Sequence, residues 1–231
     1  MMRGTRTAVA WLGLYAIAMA LVEAAVVVHL RHVYYPDDPL TIFPLEPMSP
    51  ADFALELGRE AATIVMIAAV ACLAERTWMR RFAAFVFVFG LWDVFYYLWL
   101  KVAIGWPRYW LEWDVLFFIP WLWLGPWLAA VAIAVLFVAW AVPVLLREHE
   151  VRLTTARLLT FVAGALIDLF TFLAPAWPLL GQDRAAVRSF EPPAFQWPLF
   201  ILGWLLMAAA LVSVLRDRAE PADASAHDAA R

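Results

Sequence analysis

Six stretches of the chain are apolar for about 20 residues each, and short polar or charged intervals separate them. They run from about 8 to 30, 53 to 75, 82 to 104, 126 to 146, 157 to 175 and 196 to 215. At about 1.5 Å of rise per helical residue, each can cross a hydrocarbon core of about 30 Å. The pattern predicts an all-α fold: a polytopic integral membrane helical bundle with six transmembrane helices, built by residues 1–215 as one domain. Residues 216–231, RDRAEPADASAHDAAR, are polar and Ala-rich, and read as a disordered cytoplasmic tail. The first apolar run has a possible signal-peptide cleavage site at Ala18-Met19-Ala20. It nevertheless continues through Val26, Val27 and Val28 to Leu30, the length of an uncleaved span.

One interval does not fit. After Trp106-Pro107, Asp114 is followed by VLFFIPWLWLG, about half a crossing, before Gly125-Pro126 restarts a helix. The tryptophans at 106, 110, 113, 121, 123 and 127 suit a membrane–water boundary, where an indole ring sits partly wet. Residues 109–124 are therefore expected to form an interfacial or re-entrant segment over the outer face of the bundle, the alternative being a long, proline-kinked fourth helix.

Composition agrees with the pattern. The chain is 65% hydrophobic and 16% charged, an apolar excess that one soluble core of 231 residues cannot hide. A net charge of -3 with dispersed arginines gives no nucleic-acid surface, and one cysteine, Cys72, excludes an internal disulfide and a multi-thiolate metal site. Cations set the orientation. Arg3 and Arg6, then Arg76, Arg80 and Arg81, then Arg147, Arg152 and Arg157, and finally Arg216 and Arg218 fall on one side. The other side has fewer cations, Arg31, Arg108, Arg184 and Arg188, among several acids. By the positive-inside rule both termini are cytoplasmic, and the expected location is a bacterial cytoplasmic (inner) membrane.

Ionisable residues inside the spans are costly and call for a reason. Asp93 and Asp168 each lie eleven residues from a cytoplasmic helix end, roughly 17 Å deep; Glu23, Glu56, Arg59, Glu60 and Lys101 also fall in the outer half. Glu56, Arg59 and Glu60 share one helical side by their spacing, as do Asp93, Tyr97 and Lys101, with Tyr96 adjacent. Thr160, Gly164, Asp168 and Thr171 make a polar stripe, with Gly164 small enough to admit a neighbouring helix or a ligand. The fourth and sixth spans carry no ionisable residue and read as scaffold.

Five carboxylates (Glu23, Glu56, Glu60, Asp93, Asp168) thus face two cations, Arg59 and Lys101, a surplus that a poorly solvated site does not hold unaided. This points to acid–base or charge-stabilising chemistry by Asp93, Asp168, Glu60 and Glu23 with Tyr97. Glu56, Arg59, Tyr96, Lys101, Asp114 and Trp113 are expected around the substrate. His29 and His32 lack a neighbouring acidic motif, so no metal site is expected. The first expectation is a membrane-embedded enzyme or binding protein whose site opens to the outer side and handles a membrane lipid or other lipid-soluble ligand. The alternatives are an accessory or assembly subunit with protein partners in the membrane, and a cation- or proton-coupled transporter.

Overall fold

The computed structural model describes residues 2–146 and 153–216. The tail beyond Arg216, with Arg147 and Arg152, lies outside the described residues. Seven helices and one small hairpin follow in the order α1 (Met2–Tyr34), α2 (Pro50–Ala74), α3 (Trp78–Ile104), β1 (Trp113–Phe117), β2 (Trp123–Pro126), α4 (Trp127–Leu146), α5 (Thr155–Leu173), a 3-10 turn (Ala174–Leu179), α6 (Arg184–Arg188) and α7 (Trp197–Arg216). All but α6 are long and apolar enough to cross a membrane, and the chain is an integral membrane protein of six such helices.

Local chemistry explains the helix limits near the hairpin. Ser49 caps α2 by accepting from the Asp52 amide, with Pro50 in the first turn where its missing N–H costs nothing. α3 stops at Gly105, whose φ of 75° is the left-handed geometry that ends helices. Lys101 bends back there, donating to the carbonyls of Gly105 at 2.9 Å and Pro107 at 2.7 Å.

α3 is the central helix, packing on α1, α4 and α2, while α5 packs on α7. Small residues set these contacts: a Cβ on Gly90 would lie 2.6 Å from the Ala134 carbonyl oxygen, and one on Gly164 would lie 2.5 Å from that of Gly203. In the half of the bundle away from the hairpin, Ala16, Ala20, Ala83, Ala84, Val88 and Ala141 are fully or almost fully buried in one continuous apolar core.

The expected interfacial or re-entrant segment is the hairpin. β1 and β2 pair antiparallel, Asp114 opposite Gly125 and Val115 opposite Leu124, with an irregularity between Val115 and Phe117. A Cβ on Gly125 would lie 2.8 Å from the Phe172 ring, so this strand sits directly against α5. There is no continuous helix from Trp110 to Leu146. The backbone hydrogen bonds of this aromatic stretch are made between two strands instead.

Candidate functional site

Two cavities open beneath the hairpin. The first, about 170 Å³, lies among α1, α2, α3, the connection 35–49 and β1. From α1 it takes Glu23, Val27, Leu30, Arg31 and Tyr34, residues spaced four, seven, eight and eleven from the first and therefore one helical stripe. From α2 come Glu56, Arg59 and Glu60, from α3 Asp93, Tyr96 and Tyr97, and from β1 Asp114.

Ties between elements fill this cavity's walls. Arg59 bridges helices, donating to Glu23 on α1 and, from Nε at 2.8 Å, to Glu56 on its own helix. Glu60, 4% exposed, accepts the Phe118 backbone N–H with both carboxylate oxygens, at 2.9 and 3.2 Å, and so fastens the hairpin to α2. Asp114, 3% exposed, accepts from the Tyr97 hydroxyl at 3.0 Å and pairs with Arg31 at 3.5 Å. The Arg31 guanidinium lies 3.9 Å from the centre of the Trp106 ring, a cation–π contact. Burial pushes the Asp114 carboxyl up to about 6; Arg31 first, then Tyr97 and its own following amide, hold it back.

The second cavity, about 300 Å³, is apolar. Six aromatic side chains line it, Phe89, Trp92, Phe117, Trp123, Phe137 and Phe172, beside smaller apolar ones. Its ionisable lining residues are Asp93 and Asp168. Asp168 is 2% exposed, and neither carboxylate oxygen has a hydrogen-bond partner. It is pressed against α7, where a Cβ on Gly203 would lie 2.1 Å from its Oδ1. Thr171, next on the stripe, turns its hydroxyl back to the Asp168 carbonyl oxygen at 2.7 Å. Asp93 borders both cavities, as do Trp92, Leu116 and Phe117, and it makes no hydrogen bond or ion pair with any described residue.

The sequence-predicted residues therefore divide. Glu23, Glu56, Arg59, Glu60, Asp93, Tyr96, Tyr97 and Asp114 meet around the first cavity, and Asp168 meets Asp93 around the second. Two residues are elsewhere. Lys101 is exposed and caps the end of its own helix, because its long stem lets the ammonium leave the apolar region. Trp113, one strand position from Asp114, faces the other way and packs edge-on against Phe195.

Arg31, read as a loop cation, takes the place that Lys101 was expected to fill, and the 23, 27, 30, 31, 34 stripe is the signal that would have found it. Trp106, read as a boundary residue, is fully buried beneath Arg31. The fourth and sixth spans are more than scaffold: Ala130, Ile133 and Phe137 of α4 and Met207 of α7 line the second cavity. Gly164 admits a neighbouring helix, α7. His29 and His32 bond through Nδ1 to carbonyls of their own helix, and no group of three metal-ligating side chains occurs among the described residues.

No family model matches the chain, and neither does any curated protein or solved structure.

Proposed function

We propose that the protein is a membrane-embedded enzyme or binding protein whose acidic site opens to the extracytoplasmic side and acts on a lipid-soluble substrate by carboxylate acid–base chemistry. The observation that carries this reading is Asp93. Its carboxyl stands at the junction of a polar cavity and an apolar one, with no protein partner to occupy it. An amphiphile with its apolar part among the rings and its polar part among the acids brings its reactive bonds to Asp93, within reach of a carboxyl free to take or give a proton. Tyr96 lines the same wall, while Tyr97 is committed to Asp114 and acts by positioning it.

The orientation belongs to the same proposal: a bacterial cytoplasmic membrane with the termini inside and the hairpin outside, supported by Arg76, Arg80 and Arg81 at the opposite end of the bundle. A reporter inserted after Pro47 is then outside and one after Arg81 inside; the reverse result removes the extracytoplasmic opening.

The test of the site is lipid extraction and mass spectrometry of the purified wild type and Asp93→Asn. The wild type is expected to retain a ligand that the variant loses at unchanged unfolding temperature. Equal retention, or a variant that simply unfolds, favours the second reading: an accessory subunit whose polar residues tie helices together. Arg59 between Glu23 and Glu56 and Arg31 against Asp114 speak for that reading. Transport has less support, since among the described residues the half of the bundle beyond the cavities is filled by a packed apolar core.

A further inference from the structure

Resting on that reading, we infer that the ligand is a lipophilic amine, which enters the second cavity from the lipid between α2 and α5 and sets its ammonium group against Asp168 and Asp93. Three observations converge. The cavity's ionisable lining consists of these two acids, so any charge it holds is negative. Both oxygens of Asp168 are buried without a donor, and an ionised carboxylate in that state costs several kcal/mol unless something supplies positive charge and N–H groups. An ammonium supplies both, whereas a hydroxyl supplies one donor and no charge, and a carboxylate adds repulsion. Six aromatic side chains share the rest of the wall with apolar ones, and aromatic rings attract cations in desolvated sites.

The route follows from packing. Ile64 of α2 and Ala165, Asp168 and Leu169 of α5 line the cavity. Yet α2 rests on α3 and slightly on α1, and α5 on α7 and β2, so no extensive backbone packing joins α2 to α5 among the described residues. Val65 and Met66 on one side and Leu166 and Phe170 on the other are exposed, an apolar margin facing lipid. A cavity of about 300 Å³ falls at the lower end of small-molecule sites, which run to about 1,000 Å³.

The test uses three probes on one frame, 4-phenylbutylamine, 4-phenylbutanol and 4-phenylbutyrate, titrated into the full chain in lipid nanodiscs. The amine is expected to bind at least about tenfold more tightly than the alcohol, with the acid weakest. Asp168→Asn should cut amine affinity about tenfold and leave the alcohol nearly unchanged. Ile64→Trp, which fills the cavity from α2, should abolish binding of both. An alcohol that binds as well as the amine, or an Asp168→Asn protein that keeps full amine affinity, overturns the inference. Should Asp168→Asn not fold, the wild-type preference and Ile64→Trp still decide. The outcome is separable from that of the acid–base reading. Loss of the native ligand in Asp93→Asn without any amine preference would leave the site standing and remove the amine.

Discussion

The acids around the first cavity and those along the second are the same chemical groups at the same end of one bundle, but they have different company. Glu23 and Glu56 share Arg59, Asp114 has Arg31 and Tyr97, and Glu60 has a backbone amide. Asp168 and Asp93 have a wall of aromatic and other apolar side chains. A buried acid with a partner holds elements together, and removing the partner leaves an uncompensated charge. A buried acid without one is a standing cost, which persists where a ligand or a proton offsets it. The same neutralising substitution should therefore act in opposite directions in the two places.

The largest effect is expected from Arg59→Gln. It leaves Glu23 and Glu56 facing each other, a change that costs about 3 to 5 kcal/mol for a fully buried group. With the Arg59 side chain 22% exposed, the lower figure applies, about 3 kcal/mol in chemical unfolding in detergent. A loss under about 1 kcal/mol would place the first cavity's acids in the same class as the second's.

Next comes Gly164→Ala. Its Cβ would meet the Gly203 carbonyl oxygen at 2.5 Å and the Met207 backbone nitrogen at 2.9 Å, so α5 and α7 must part. Overpacking of this kind costs about 1 to 3 kcal/mol. Because α7 backs Asp168, ligand retention should fall together with stability. Gly58→Ala, with nothing within 4 Å, is the control and should gain up to about 1 kcal/mol from helix propensity.

These contrasts were only partly legible in the sequence. The six spans were, because a run of about 20 apolar residues has few other uses, and the helices begin and end within about six residues of the expected limits. The second cavity was not. It is lined in part from the two spans without ionisable residues, and what makes room for the Asp168 carboxylate is a glycine, Gly203, in one of them. Lys101 and Arg31 were exchanged for a related reason: at a span's end a long cationic chain can point either way, and spacing alone does not say which. The hairpin was seen as an interruption but not as strands, since its tryptophans satisfy a boundary segment and a β-ladder equally well.

The Arg31–Asp114 pair gives a smaller, pH-dependent effect. Burial holds Asp114 near 6 in the fold, above the roughly 3.9 of an unfolded aspartate, so between those values the folded state binds more protons. Its contribution to stability therefore falls as pH rises through this window and grows on acidification. From pH 7 to pH 5 the gain is about 1 kcal/mol. It should be read as the difference in slope between wild type and Asp114→Asn. Identical slopes would mean that Arg31 compensates the carboxylate fully, making this the best-paired acid of the first group.

The smallest effect on stability, and the one that separates the groups most sharply, is expected from Asp168→Asn. The substitution keeps the shape that fits the notch at Gly203 and removes the charge, with no protein cation left behind, since no described residue donates to either oxygen. An amide in an apolar cavity still has its own desolvation cost, but less than an ionised carboxylate. The unfolding free energy in detergent should be unchanged or raised by up to about 1 kcal/mol, while ligand retention is lost. Arg59→Gln measured alongside supplies the scale. If Asp168→Asn loses as much as the arginine variant, Asp168 is tied to the fold as firmly as Glu23 is. The two groups of acids would then be one, and the polar residues of this bundle would serve assembly rather than a site.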